Sequence, residues 1–200
     1  MSRAGASNAG APQSTHAGGN DFKLLINDLN CEAYCIKYVD DVSMATVSTD
    51  PFDQSMQLAV DSLLEWSHVN TLNINSKKTK EMIVRFGRRV DSNVIPNLVA
   101  SDSVIERVDE FKSLGIVIRS DLNWSSHVRY MLSKASKRIF VITFLARSCI
   151  SVIDIITVYC AIVRSVLEYA SPVWHCGLSK TQSLEIERVQ KGASRLHSPC

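Results

Sequence analysis

The sequence predicts an α+β chain in which short strands and a helix are followed by an all-helical bundle. Three observations predict it. Residues 33–47 place two strand-forming runs around the adjacent acids Asp40 and Asp41, in the manner of a β-hairpin. Val94 to Ile118 is rich in Ile, Val and Phe broken by polar residues, which fits two or three further strands. From Ser125 onward the apolar residues recur at helical spacing.

The elements follow in order. Residues 1–20 are rich in Ala, Gly, Ser and Asn, a composition too polar and too small to offset its ordering entropy, and a flexible N-terminal segment is expected. Phe22 to Leu29 reads as a short helical or extended piece leading into the hairpin. Pro51 opens a helix over about Phe52 to Val69, with Met56, Ala59, Val60, Leu63 and Leu64 on one stripe. Met82 to Phe86 reads as a strand, and with the hairpin and the Val94–Ile118 strands it implies one antiparallel sheet crossed by the helix.

In the last third, Val128, Met131, Leu132, Ala135, Ile139 and Ile142 share a helix face, and Lys134, Lys137 and Arg138 lie off it. A nearly apolar helix over about Ile150 to Tyr169 is expected to stop at Pro172. The final helix, about Thr181 to His197, turns Ile186, Val189, Ala193 and Leu196 inward and pairs Glu187 with Lys191 outside. Trp66, Trp124 and Trp174 neighbour apolar helix positions and read as packing residues. The five histidines are scattered and read as ordinary.

Composition narrows the class. At 200 residues, 46% apolar and 21% charged, the chain matches ordinary globular proteins and excludes wholesale disorder or a coiled coil. Its net charge of +2 names no partner. Six cysteines with no Cys-x-x-Cys pair argue for reduced thiols and against a zinc or redox site. No apolar leader opens the chain, and the most apolar stretch, Ile139 to Val163, is broken by Arg147 and Asp154. The expectation is an intracellular protein of cytoplasm or nucleus, not secreted and without a transmembrane segment.

Chemistry concentrates in two places. Adjacent carboxylates converge most easily where a strand reverses, and hard oxygen donors suit Mg²⁺, although Asp is also an ordinary turn residue. Charge is distributed unevenly. Lys77, Lys78, Lys80, Arg85, Arg88 and Arg89 face only Glu81 between Leu72 and Val90, and no acid lies between Asp121 and Asp154, where Arg129, Lys134, Lys137, Arg138 and Arg147 fall. Such stretches can hold phosphate backbones, because neutralising phosphate supplies most sequence-independent affinity.

Tyr38-Val39-Asp40-Asp41 resembles the catalytic hairpin of reverse transcriptases, and its context resembles the polymerases of jockey-like non-LTR retrotransposons. Gly10 to Gly18, with Pro12-Gln13 at its centre, and Leu24 to Leu29 are similar to the family's Pro-Gln-Gly loop and the helix after it. Leu72 to Lys80 resembles the Asn-and-Lys segment of the palm, Phe111 to Ile116 the primer-grip turn, and Leu122 to His127 the entry to the thumb. Leu167 to Trp174 and Ile186 to Lys191 resemble the helical region after the thumb. Ser14 stands where the family has glycine after Pro-Gln, and a side chain there restricts close approach of the backbone to a substrate.

The resemblance implies a partial polymerase palm over 21–120, an antiparallel sheet with helices, and a helical thumb and post-thumb region over 121–200. It makes Asp40 and Asp41 the catalytic metal ligands for Mg²⁺, and Lys78 the acid that protonates pyrophosphate, with Lys77 or Lys80 as rivals. Gln13 and Tyr38 would meet nucleotide or template. Lys112, Leu114 and Gly115 would grip the primer, and Lys134, Lys137 and Arg138 the duplex. The implied partners are an RNA template and a DNA primer. The family's metal site also needs an Asp from a strand upstream of the Pro-Gln-Gly loop, so the expected reading is a truncated RNA-directed DNA polymerase, inactive alone, with apolar surface bared near Met1 to Val47. The alternative is a non-enzymatic nucleic-acid-binding or helical interaction module derived from the thumb.

Overall fold

The computed structural model describes residues 26–30, 33–86, 94–148 and 150–194. The N-terminal segment 1–20, Gln13, most of the piece from Phe22 and the end of the last helix lie outside them. The described residues are α+β and divide into two units. One runs through Ile83 and resumes after the undescribed segment as far as Arg107; the other is Val84–Phe86 with the chain from Val108.

In the first unit, strands β1 (Tyr34–Tyr38) and β2 (Asp41–Ala45) form an antiparallel hairpin whose register pairs Tyr38 with Asp41 and Tyr34 with Ala45. Alternation along β1 turns Tyr34, Ile36 and Tyr38 to solvent and half-buries Cys35 and Lys37. The Lys37 ammonium donates to the carbonyls of Ile26 (2.9 Å), Asn27 (3.3 Å) and Leu29 (2.6 Å), tying the hairpin to the preceding turn. Helix α1 (Ser55–Val69) begins three residues later than the sequence pattern implies. The cause is local: Asp50 and Asp53 accept from the backbone N–H groups of Phe52 and Ser55, each at 2.9 Å, and hold residues 50–53 in turns. Its stripe is the expected one, with Ala59 and Val60 buried; Val60, Ala100 and Ile105 form a small core with Met44, Leu64 and Leu98 against it.

The expected single antiparallel sheet is not what forms. Among the described residues there are four separate two-stranded pairs. Residues 82–86 carry no strand. Instead β3 (Lys80–Glu81) runs parallel to β6 (Glu106–Arg107), its register setting Lys80 opposite Glu106 and Glu81 opposite Arg107. Opposite charges directly across a ladder attract, and Arg107 also donates to the carbonyls of Ile95 (3.0 Å) and Pro96 (2.6 Å). Charge pairing, invisible to a search for apolar alternation, selected this register. Between these strands, β4 (Val99–Ala100) and β5 (Ser103–Val104) close a short hairpin against α1, where Gln57 exchanges two hydrogen bonds of 2.9 Å with the backbone of Val99.

The second unit opens with the antiparallel hairpin β7 (Glu110–Ser113) and β8 (Ile116–Arg119), which packs on α2 (Ser125–Ala146). Helix α2 buries Val128, Met131, Ala135 and Ile142, as its periodicity implies. The next helical stretch is interrupted: α3 (Val152–Val158) widens into a π-helix over Tyr159–Arg164 before α4 (Ser165–Leu167). Widening the turn releases carbonyls from their i→i−4 bonds, and Arg138 donates to that of Ile162 at 2.5 Å. The stretch ends before Pro172, because Ala170 adopts a left-handed φ of 50°; Pro172 instead sits in the first turn of α5 (Ser171–Trp174), where its missing N–H costs nothing. Helix α6 (Lys180–Ser194) starts with a reciprocal box in which Ser179 and Gln182 bond each other's backbone N–H.

Met131, Ala135, Ile142, Ile155, Val163, Leu167 and Trp174 make the core of this unit. Trp174 is 2% exposed, while Trp124 packs at its margin against Gly177, where a Cβ would collide with the indole. Cys35, Cys160 and Cys176 are thiols. No helix among the described residues is long and apolar enough to cross a membrane.

Candidate functional site

The acidic turn is built as the sequence implies. Tyr38 and Asp41 are paired, so Val39 and Asp40 make a two-residue loop. Such loops need a left-handed residue, and here it is Val39, at φ 54°. A β-branched side chain is a poor occupant of that region, so the turn holds local strain next to the acids. Both carboxylates are exposed, and among the described residues neither is held by a hydrogen bond or an ion pair. Tyr38 lies on the exposed face with Ile36 and Tyr34, leaving an apolar strip 59–78% exposed beside the pair.

Two exposed carboxylates fit Mg²⁺ in kind, since that ion is commonly held by one or two carboxylates, waters and the phosphates of a substrate. They do not close a site alone: among the described residues no group of three or more His, Cys, Asp or Glu side chains converges. Lys78 is exposed in a turn that Asn75 organises, its backbone N–H reaching the Asn75 carbonyl at 3.0 Å. Of its rivals, Lys80 is engaged by Glu106.

The second unit brings together two residues that the sequence considers separately. Lys112 of β7 and Lys134 of α2 both donate to the phenol oxygen of Tyr130, at 2.7 and 3.1 Å, and their ammonium groups stand 4.5 and 5.0 Å from its ring centroid. The hydrogen bond from Lys112, then that from Lys134, holds the Tyr130 phenol below its ordinary pKa. Two cations around one phenol make a compact anion-attracting cluster. Lys137 is exposed on the same helix, whereas Arg138 turns to Ile162. Tyr130 was missed by sequence reasoning. Its i,i+4 spacing to Lys134 was the available signal, but no spacing reveals Lys112 across the hairpin.

The primer-grip candidates Leu114 and Gly115 form the two-residue loop of the β7–β8 hairpin, both left-handed at φ 47° and 86°. Tyr169 donates its hydroxyl proton to the Leu114 carbonyl at 2.8 Å. Beneath the hairpin, His127 is far from ordinary: it is 3% exposed, its Nδ1 accepts the Val117 N–H at 3.3 Å, and Trp124 and Trp174 flank its ring at centroid distances of 6.0 and 5.6 Å. Burial pushes its pKa down. A cleft of about 590 Å³ between α2 and α6, lined by Ser125, Arg129, Ser133, Ser136, Gln182 and Glu185, holds one cation and one carboxylate and so favours neither sign of ligand.

The class of protein to which this chain is similar is the RNA-directed DNA polymerase of mobile elements. The particular relative is the RNA-directed DNA polymerase from mobile element jockey of Drosophila funebris, 23% identical over 201 aligned residues that cover 92% of this chain and 22% of that protein. The chain thus spans about a fifth of the length of the curated relative it matches. No family model matches the chain, and no solved structure matches it.

Proposed function

We propose that this chain is the metal-bearing hairpin of the palm, with the thumb and post-thumb helices, of a jockey-like reverse transcriptase acting on an RNA template and a DNA primer. The observation that carries the reading is the Tyr34–Ala45 hairpin, whose two-residue loop exposes Asp40 and Asp41 beside Tyr38. The order of the other resembling segments and the similarity to the jockey polymerase support it. On this reading residues 21–120 are palm and 121–200 thumb and post-thumb.

Asp40, with Asp41 beside it, would hold Mg²⁺, which when bound neutralises charge on phosphoryl oxygens. Tyr38 offers a ring and hydroxyl to nucleotide or primer, with Gln13 assigned to the same role by resemblance. Lys78 is the assigned proton donor to pyrophosphate. The Leu114–Gly115 turn and Lys112 brace the primer; Lys134, Lys137 and Arg138 are assigned by resemblance to the duplex backbone, and Arg138 already spends one N–H on the Ile162 carbonyl. Two carboxylates do not complete a two-metal site, so incorporation requires a further aspartate from another part of the polymerase.

The test is Mg²⁺-dependent primer extension on an RNA template. We expect no extension by the 200-residue chain alone. Fused behind the upstream region of a jockey-type polymerase, it should extend the primer, and Asp40→Asn should then lower the rate by about a thousandfold or more. Extension by the isolated chain, or by a fusion indifferent to Asp40→Asn, refutes the reading.

The Lys112–Tyr130–Lys134 cluster favours a second reading, a non-enzymatic nucleic-acid-binding module. Salt-dependent duplex binding unchanged by Asp40→Asn, together with an inactive fusion, would select it.

A further inference from the structure

The tip of the β7–β8 hairpin is held in an unusual way. Its strands are four residues long and, among the described residues, paired only with each other, which is marginal for a hairpin standing alone. Leu114, at the tip, is 43% exposed and left-handed, so neither burial nor backbone preference fixes it. What grips the tip comes from 55 residues away. The Tyr169 hydroxyl donates to the Leu114 carbonyl at 2.8 Å, and its ring fills the space beside Gly115, where an added Cβ would lie 3.2 Å from Cε1.

Tyr169 is itself anchored. Its carbonyl accepts the indole N–H of Trp174 at 2.9 Å, and Trp174 is buried in the core of the unit. The left-handed residue Ala170 turns the chain between the two. A continuous line therefore runs from a core tryptophan through one tyrosine to an exposed turn. Two residues before the turn, on β7, is Lys112, whose ammonium is fixed from the other side by Tyr130.

We propose that Tyr169 is a positioning residue: its clasp on the Leu114–Gly115 turn sets the tip, relative to the Lys112 ammonium, at the place where the 3′ end of a primer is braced. The inference rests on the proposed function, which assigns that turn to the primer, and it adds a residue that touches neither substrate nor metal. A primer end is a localised feature with a terminal sugar and a last phosphate, and it needs a fixed point; a duplex backbone needs only charge.

Fluorescence anisotropy with the full chain tests it, using a primer–template with a recessed 3′ end and a blunt duplex of equal length. Tyr169→Phe keeps the ring and removes the donor. Binding of the recessed end should weaken about three- to tenfold, as for the loss of one neutral hydrogen bond, with blunt-duplex binding unchanged. Hydrogen exchange at the Ile116 amide, in the Ser113–Ile116 pair that closes the turn, should quicken by a similar factor, with the α2 core unaffected. Gly115→Ala, which strains the turn at its φ of 86° and crowds the Tyr169 ring, should reproduce the selective loss. Equal loss on both substrates with faster exchange throughout the unit would make Tyr169 merely structural and overturn the proposal, as would wild-type binding of both. The Lys112→Ala, Lys134→Ala double variant separates the two failures. If it weakens binding while Tyr169→Phe is silent, only the positioning role falls; if it leaves all duplex binding intact, the assignment of the turn to a primer falls with it.

Discussion

Lowering the pH should destabilise the helical unit through a single side chain, His127. Its Nδ1 accepts the Val117 N–H, so the neutral ring carries its proton on Nε2, which is buried with no partner among the described residues. A second proton must go to Nδ1, where it would face the Val117 N–H and break the bond that fastens β8 to α2. Burial, at 3% exposure, opposes the same charge, and the folded pKa lies below the ordinary value. In the unfolded chain the imidazole takes its proton near the ordinary pKa of about 6.5. The unfolded state thus binds more protons below that pH, and stability is full above it and falls as pH drops through it. One proton limits the slope to about 1.4 kcal/mol per pH unit, so between pH 7.5 and pH 5.5 the wild type should lose more stability than a variant lacking the imidazole, by at most about 1.4 kcal/mol, the limit reached when only the unfolded chain takes up the proton in this range. The variant is His127→Gln, which can still accept from Val117 but does not titrate. Urea unfolding followed by tryptophan fluorescence suits the measurement, because Trp124 and Trp174 flank the ring. Subtracting the variant's curve cancels the carboxylates that titrate at lower pH. A difference that is flat over this range, or that rises toward acid, would refute the reasoning.

Three further outcomes follow from the same geometry. Trp174→Ala should cost about 3–5 kcal/mol in urea unfolding, because the indole is 2% exposed and its N–H is satisfied by Tyr169; a loss below about 1.5 kcal/mol would mean that the site collapses around the gap. Val39→Gly should be neutral or stabilise by up to about 1 kcal/mol, since relief of the left-handed φ of 54° outweighs the entropy that glycine adds to the unfolded chain, and a clear loss would show that the Val39 side chain anchors the hairpin. Lys112→Ala and Lys134→Ala should each flatten the dependence of log binding constant on log salt by about 0.7–0.9, with no loss of folding stability beyond about 0.5 kcal/mol, and an unchanged slope would remove both lysines from the phosphate backbone.

The helices were legible because their signal is periodic and local. The stripe from Val128 to Ile142 became the buried face of α2, and Ala59 and Val60 the buried face of α1. The acidic hairpin was legible for a related reason: two strand-forming runs and two acids between them leave one economical place for the reversal. Strand partners were not legible. The parallel pairing of β3 with β6 rests on Lys80 against Glu106 and Glu81 against Arg107, 26 residues apart, and no pattern within either segment announces it. The π-helix at Tyr159–Arg164 was equally hidden, because apolar residues all round a segment say nothing of the width of its turns.

By itself the sequence determined that Asp40 and Asp41 stand together at a reversal and that α2 carries lysines away from its apolar stripe, because neighbours in the chain cannot avoid being neighbours in space. Only the tertiary structure decided that Lys112 and Lys134 share Tyr130, that His127 is sealed under β8, and that Tyr169 holds the tip at Leu114. Apart from the i,i+4 pair Tyr130–Lys134, those contacts join residues from 10 to 55 positions apart, and which of them form depends on how the β7–β8 hairpin and the helices of that unit pack together, a choice made by the core around Met131, Leu167 and Trp174 rather than by any local run of residues.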